Sequence, residues 1–147
     1  MLNITNNLML GDTGAYILSF FVGYLIIKSH NFNPNISPYF FITLLWYPCF
    51  ENLFSIIRKL KNNFTPLAPD NNHLHQLIYQ RLYKVLYKNK LVANNVSSIL
   101  ISLINVLILL FAARYPYETI YQIKVILISI FLYLLTFFVL NFKKNAK

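Results

Sequence analysis

Two short stretches of the sequence carry residues that could do chemistry on a charged substrate. The first is GDTG at residues 11–14, where Asp12 stands between two glycines directly before a long apolar run. The second is PLAPDNNHLHQ at residues 66–76, which contains His73 and His75. A carboxylate is a hard oxygen ligand suited to Mg²⁺, and an imidazole can exchange hydrogen bonds or protons near neutral pH. The two stretches would form one site if folding brings them to the same side of a membrane.

Each of these features also has a structural interpretation. Aspartate is a favourable N-cap residue and is stabilised at the positive end of a helix, which by itself could account for Asp12. Asp70 is predicted to cap a helix whose first turn contains His73, and a neutral imidazole there could donate a hydrogen bond to a phosphate or a uracil-like base. The spacing is poor for zinc, because side chains two residues apart do not share a helix face and no third ligand is near.

The composition indicates a membrane protein. Of the 147 residues, 57% are hydrophobic and 12% are charged, and the mean hydropathy is +0.52. Soluble domains have roughly a quarter of their residues charged. The net charge of +9 comes from lysines and arginines beside apolar runs, which is typical of membrane-flanking charge and argues against nucleic acid as a partner. The single cysteine, Cys49, lies in an apolar segment and excludes an internal disulfide.

Four apolar segments predict an all-α integral membrane protein with about four transmembrane helices in one membrane domain, residues 1–147. A helix rises about 1.5 Å per residue, so about 20 residues cross the apolar core of a bilayer. The predicted spans are 8–27, 39–57, 96–113 and 123–140, and a cytoplasmic loop of residues 58–93 joins the second to the third. Within this loop, apolar residues at i, i+3 and i+4 spacing predict an amphipathic interfacial helix: Leu74, Leu77, Ile78, Leu82, Val85 and Leu86.

The basic residues predict the orientation of these spans. Seven lie in residues 58–90 and three in the tail after residue 142, whereas the opposite side receives three, Lys28, Arg114 and Lys124. Cytoplasmic loops are enriched in lysine and arginine, so both termini and the loop are expected in the cytoplasm. The carboxylate near the first span and the two histidines of the loop are then expected on the same face of the membrane.

The first two predicted spans carry residues that are unusual for helices facing lipid. In the second span, Pro48 is expected to kink the helix and free a backbone carbonyl. Glu51 is expected below the headgroups, where an acid is functional or is paired with a buried polar group or a nearby lysine or arginine. In the first span, small residues recur every four positions and favour close packing inside a bundle: Gly11, Ala15, Ser19 and Gly23.

In this order the segments resemble the polyprenyl-phosphate N-acetylhexosamine-1-phosphate transferases, the MraY/WecA-like family. MLGDTGAYILSF is similar to the family's LGD-G(S/A)-LGF segment at the start of a membrane helix, and YPCFENLFSIIRK to its P-FE segment followed by basic residues. TPLAPDNNHLHQL looks like the family's cytoplasmic SP--PD--HLHH loop, with Gln76 at the final histidine position. These motifs cover residues 8–80, and residues 91–147 match only as further membrane helices.

The resemblance implies that a polyprenyl phosphate takes a phospho-N-acetylhexosamine from a UDP-sugar at the bacterial inner membrane, in cell-wall, lipopolysaccharide or other surface-glycan synthesis. It implies that Asp12 helps to hold Mg²⁺, or Mn²⁺ in its place. His73 and His75 would be catalytic and would face the nucleotide diphosphate. Arg81 and Lys84 would bind substrate by adding positive potential.

The chain departs from the family in length, because family members are usually much longer and carry an aspartate-rich Mg²⁺ motif upstream of the part seen here. Asp12 is the only acid before Glu51, so the chain up to Glu51 cannot supply a carboxylate pair on the cytoplasmic side. The chain therefore looks like the C-terminal portion of such an enzyme and is expected to be inactive alone. One alternative is a four-helix membrane protein without catalytic activity, a remnant with a structural or interaction role. Another is one half of a split enzyme, completed by a separate N-terminal half.

Overall fold

The described part of the chain is entirely helical in its regular structure. The computed structural model describes residues 11–61, 63, 65, 72–85 and 89–145. Within those ranges there are five α-helices and no strand, which confirms the predicted all-α class. The helices are α1 (Gly11–Phe32), α2 (Pro38–Lys61), α3 (Leu74–Val85), α4 (Lys90–Ala113) and α5 (Thr119–Asn145).

Three helices of the described part, α2, α4 and α5, are long and apolar enough to cross a membrane. The chain is therefore a multi-pass membrane protein by length and composition. Helix α1 is not among the three, so the predicted span at residues 8–27, and with it a total of four spans, is not confirmed. It carries Asp12 and Lys28 near its two ends and further polar residues in its last turn, and these lower its mean hydropathy. Residues 8–10 of the first predicted span lie outside the described part.

The helix boundaries follow from local capping chemistry. Helix α2 begins with Pro38, whose fixed φ and missing amide suit a first helical position. Ser37 caps it, because its hydroxyl accepts from the amide of Tyr39 at 3.3 Å. Helix α4 is capped by Asn89, whose side chain accepts from the amide of Val92 at 3.2 Å. The spans are longer than their apolar cores because these caps lie beyond the hydrophobic residues.

Helices α2 and α5 run parallel to each other. Helix α4, which lies between them in the sequence, runs antiparallel to both. Thr43, early in α2, donates a hydrogen bond to the side chain of Gln122, early in α5, at 3.3 Å. Further along, the rings of Phe54 and Phe137 lie 4.8 Å apart. Gln122 also donates to the carbonyl of Ala112 at the end of α4, at 2.8 Å. The carboxyl ends of α2 and α5 therefore lie at the same end of the bundle.

The core lies between α2, α3 and α5 and is rich in aromatic rings. Trp46, Leu77 and Tyr133 are at least 94% buried there, and Leu77 brings α3 into the same cluster. Tyr133 meets Phe50 edge to face, with ring centroids 5.1 Å apart, a favoured aromatic arrangement. The apolar face of the predicted amphipathic helix thus packs on protein at Leu74 and Leu77, whereas Val85 of the same pattern is exposed. Leu86 of that pattern lies outside the described part.

Helix α1 stands apart from this core. Tyr16 and Phe20 are 76% and 72% exposed. The ring of His30, near the end of α1, lies 5.9 Å from that of Phe41 in α2. The small-residue stripe of α1 was expected to place it inside a bundle, but a Cβ built on Gly23 meets no atom within 4 Å. Within the described residues, the helix turns its apolar surface outward.

Candidate functional site

The histidine segment forms the start of α3, where His73 is the N-cap residue. The amides of Gln76 and Leu77 both donate to the carbonyl of His73, at 3.0 Å each. The side chain of Gln76 accepts from the amide of His73 at 3.3 Å, which is one half of a capping box. The sequence predicted His73 inside the first turn after a cap at Asp70. The helix instead begins one residue after His73, and Asp70 lies outside the described part.

Glu51 supplies the other half of this cap from a different helix. Its Oε1 accepts a hydrogen bond from the amide of Leu74, the first residue of α3, at 2.8 Å. The same oxygen lies 3.1 Å from Nδ1 of His73. A serine or aspartate cap accepts from such an amide with its own side chain, whereas here the carboxylate of α2 takes that role. Glu51 is 7% exposed and is therefore a buried acid with partners from a buried backbone group and a histidine.

Arg58 holds the same segment two helical turns further along α2. Its guanidinium donates to the carbonyl of Asn72 at 2.9 Å, immediately before His73. It also lies over the rings of Phe54 and Phe137, at 5.6 and 5.2 Å from their centroids. Such cation–π contacts are worth about 0.5–2 kcal/mol each, depending on desolvation. One face of α2 therefore fixes the backbone of residues 72–74 at two points about 10 Å apart along the helix.

The two histidines lie together although they are only two positions apart. Their rings are stacked, with centroids 5.6 Å apart and planes 14° from parallel. The spacing predicted that residues two positions apart do not share a helix face. That rule applies inside a helix, whereas His73 precedes α3 and its side chain is not bound by helical spacing. His73 and His75 thus form one local pair beside Glu51.

The ring of His75 also differs electrostatically from a free imidazole. Partial removal from water lowers the pKa of His75, and neighbouring His73 lowers it further. The carboxylate of Glu51 acts in the opposite direction. The net direction is downward, so His75 is neutral at physiological pH.

A group of buried oxygens surrounds the other side of the carboxylate. The hydroxyls of Tyr47 and Tyr133 lie near enough to interact with Glu51. By strict geometry, however, Oε2 of Glu51 and both hydroxyls have no hydrogen-bond partner among the described residues. Proximity without a directed hydrogen does not satisfy a buried oxygen. The polar pocket beneath His73 is therefore only partly satisfied.

A cavity of about 720 Å³ lies among the helices and adjoins this region. All four helices α2 to α5 contribute to its wall, which is mainly aliphatic and aromatic. Trp46, Leu74 and Tyr133 line the end that adjoins the histidine segment. Such a volume is large enough for part of an amphiphilic ligand.

The structure places the remaining predicted site residues away from the histidine pair or leaves them undescribed. Asp12 is the second residue of α1, and its side chain lies outside the described part. Arg81 and Lys84 are exposed in the second half of α3, with Arg81 about 12 Å along the axis from His73. Pro48 lies inside α2 one turn before Glu51, where it leaves the carbonyl of Leu44 without its usual amide donor.

The described residues do not fit a Mg²⁺ site. Within them, no group of three histidine, cysteine or acidic side chains lies close enough to hold a metal ion. Among the described residues, Glu51 is the one carboxylate beside the histidines, and its Oε1 already accepts from Leu74. Mg²⁺ demands near-octahedral oxygen coordination, which one carboxylate and two imidazoles do not supply. No catalytic step is therefore assigned to a metal held by these groups.

Sequence reasoning did not find the connection between α2 and the histidines. It named Glu51 as a buried acid that needs a partner but did not identify His73 as that partner. It used Arg58 only as one of the basic residues that predict the orientation of the spans in the membrane. The seven-residue spacing of Glu51 and Arg58 puts both on one helix face, and this spacing is a signal that was present in the sequence. No protein-family model, curated protein or solved structure matches the chain.

Proposed function

We propose that this chain is the C-terminal part of a membrane transferase that moves a phospho-N-acetylhexosamine from a UDP-sugar to a polyprenyl phosphate. The observation that carries the proposal is the anchoring of His73 by Glu51 of a membrane-type helix, at 3.1 Å. A catalytic group must be held to within a fraction of an ångström of its productive geometry. Anchoring a histidine from a rigid helix suits a site that acts on a substrate at the membrane surface.

In the proposed reaction, an oxygen of the polyprenyl phosphate attacks the β-phosphorus of the UDP-sugar. The bond between that phosphorus and the bridging oxygen breaks, and the electron pair leaves on the phosphate of UMP. The product is a lipid-linked sugar diphosphate, so atoms and charge balance without a further reactant. The demand on the protein is to align the phosphates and offset their charge. His73 and His75 would lie at the reacting end, and the exposed Arg81 and Lys84 would add positive potential.

Two features support a lipid substrate. The apolar cavity of about 720 Å³ adjoins the histidine segment and has room for part of a polyprenyl chain. The basic residues at the ends of α2 and α3 lie at the same end of the bundle as the histidines, as expected for an inner-leaflet site. The proposed topology has α1 as a fourth span, both termini in the cytoplasm, and the site on the cytoplasmic face of a bacterial inner membrane.

The proposal includes a partner. A single carboxylate at Asp12 holds Mg²⁺ or Mn²⁺ weakly, so further carboxylates would come from a separate N-terminal half. The outward-facing apolar surface of α1 is available for packing against such a half. The chain alone is then inactive, whereas its complex is active.

The test is to capture the tagged chain from its own membranes in mild detergent. UMP release is then measured with UDP-N-acetylglucosamine or UDP-N-acetylgalactosamine, undecaprenyl phosphate and Mg²⁺. Captured complexes should release UMP only when both substrates and the metal are present, and the purified chain alone should release none. Absence of UMP release from every complex would contradict the proposal and favour the inactive four-helix membrane protein.

Variants of the captured complex separate the metal from the fold. Asp12→Asn removes a charged ligand while keeping the side-chain size, so it should abolish Mg²⁺-dependent UMP release and leave membrane insertion intact. Lys28→Gln, a charge change at the other end of α1, is the matched control and should retain UMP release. Equal activity of Asp12→Asn and the unaltered complex would remove Asp12 from the metal site.

A further inference from the structure

We propose that Glu51 is a positioning residue that fixes the tautomer of His73, so that the site presents Nε2 of His73 as a hydrogen-bond acceptor. The inference deepens the proposed function and rests on it for the identity of the ligand. It concerns a contact between α2 and α3 that the motifs themselves do not specify. Its first step, the tautomer, is independent of any ligand.

The tautomer follows from the hydrogen bonds of Glu51. Its Oε1 accepts from the amide of Leu74 at 2.8 Å, so this oxygen acts as an acceptor. The same oxygen lies 3.1 Å from Nδ1 of His73. A carboxylate accepts and does not donate, so the hydrogen of this second contact belongs to Nδ1. In the neutral ring the other nitrogen, Nε2, then carries a lone pair and no hydrogen.

The surroundings make this assignment hard to reverse. Flipping the ring would remove the Nδ1 hydrogen bond from a carboxylate whose side chain is 9% exposed and leave the carboxylate with one partner fewer. His75 stacks on one face of His73 and restricts rotation of the ring. Arg58 fixes the preceding carbonyl, at Asn72. The side chain of His73 keeps 22% of its surface exposed, so part of the ring remains accessible to a ligand.

The tautomer decides which part of a nucleotide sugar His73 can contact. The oxygens of a diphosphate are acceptors, and a lone pair on Nε2 cannot bond to them. The hydroxyl and N–H groups of the nucleoside and of the N-acetylhexosamine are donors and match it. In the Nδ1–H form, the ring of His73 recognises a donor of the nucleoside or sugar, and the diphosphate must be held by other groups. This differs from the expectation that a neutral His73 donates to phosphate.

The tautomer is tested by ¹⁵N NMR of the full chain, labelled at histidine and reconstituted in lipid nanodiscs at neutral pH. His73→Gln identifies the His73 signals among those of the three histidines. His73 should show a protonated Nδ1 and an unprotonated Nε2. Glu51→Ala should shift the tautomer of His73 toward the Nε2–H form that free imidazole favours. Glu51→Gln keeps an acceptor oxygen, so it should retain much of the Nδ1–H signal that Glu51→Ala loses. A protonated Nε2 in the unaltered chain, or an unchanged tautomer in Glu51→Ala, would overturn the inference.

The ligand is tested by the affinity of captured complexes for UDP-N-acetylglucosamine and for inorganic pyrophosphate. Loss of one hydrogen bond worth about 1 kcal/mol, at 1.4 kcal/mol per tenfold, should weaken UDP-sugar binding about fivefold in Glu51→Ala. With excess Mg²⁺, pyrophosphate is mainly the fully deprotonated magnesium complex, which has no donor for Nε2 to accept from, so its affinity should not fall. An equal loss for pyrophosphate would place His73 at the diphosphate and overturn the second step. Failure of the unaltered complex to bind UDP-sugar would overturn the proposed function, while the NMR result would still decide the tautomer.

Discussion

Truncation of Leu77 to alanine should release α3 from the bundle without unfolding the bundle. Leu77 is 3% exposed and packs in the cluster that contains Trp46 and Tyr133. Helix α3 has 12 residues, and isolated helices of that length are marginal in water. Its helicity therefore depends on how well its apolar side chains are buried against α2 and α5.

The magnitude follows from the burial of this one side chain. Leucine-to-alanine substitutions in well-packed cores cost about 2–5 kcal/mol, because apolar contacts are lost and a cavity remains. Even the lower value raises the population of undocked α3 about 30-fold, since 1.4 kcal/mol corresponds to a factor of ten. Undocking also breaks the bond from the amide of Leu74 to Glu51, so this amide reports the event directly.

The assay is native-state hydrogen exchange of the chain in detergent micelles, resolved to peptides of α2, α3 and α5. Exchange in α3 should accelerate at least about 30-fold, while exchange in the middle of α2 should change little. Val85→Ala is the matched control, because Val85 is in the same helix but is 63% exposed. It should change exchange by no more than about twofold, as surface substitutions shift stability by up to about 0.5 kcal/mol.

Two results would refute this reasoning. Equal acceleration in all helices would show that α3 unfolds only together with the bundle, so that it is not a separately docked element. No acceleration in Leu77→Ala would show that the capping contacts from Glu51 and Gln76 alone hold α3 in place.

Two further predictions concern polar groups. Gln122 is fully buried and makes three hydrogen bonds to other parts of the bundle. Side-chain hydrogen bonds between membrane helices are worth about 0.6 kcal/mol each on average, so Gln122→Leu should lower the free energy of unfolding by about 2 kcal/mol. The thermal midpoint in detergent measures this, and Thr136→Val, which removes a bond within one exposed helix turn, should leave the midpoint almost unchanged. Folding lowers the pKa of His75, so the folded chain binds this proton less tightly than the unfolded chain does. The contribution of His75 to the free energy of unfolding is therefore complete above the unfolded pKa of about 6.5 and is lost as the pH falls below that value. The free energy of unfolding in urea should decrease slightly between pH 7.5 and pH 5; the decrease is small because the ring is still partly exposed. His75→Gln should flatten this pH dependence. An equal pH dependence of the free energy in that variant would assign it to other groups.

The membrane helices could be predicted from sequence because length and apolarity are local properties. Residues 39–57 and 96–113 lie within α2 and α4, and both helices extend beyond these predicted spans. Helix α1 shows where this reasoning is insufficient. Its apolar run is interrupted by small and polar residues, and neither periodicity nor composition reveals whether another protein covers it.

The start of α3 could not be predicted for a different reason. Sequence rules place an N-cap at a residue with its own acceptor, and Asp70 was the nearest candidate. The acceptor that the structure uses belongs to Glu51, 23 residues before Leu74 in the chain, and it acts across an interface between helices. A cap supplied by another element leaves no local pattern, so both the helix boundary and the partner of Glu51 had to come from the structure.

The position of Glu51 also gives a physical reason for keeping an acid at a buried site. Burial of a carboxylate costs several kcal/mol. Two hydrogen bonds to Oε1 offset only part of this cost, and Oε2 has no directed partner among the described residues. An aspartate or serine cap within the loop would satisfy α3 at lower cost, but it would leave the histidines to move with the loop. Placing the acceptor on α2 instead, with Arg58 two turns away, fixes residues 72–74 relative to a helix that is long enough to cross the membrane. The distance of the imidazoles from the bilayer is then set by α2, which is what the proposed transfer between a lipid phosphate and an aqueous nucleotide sugar would require.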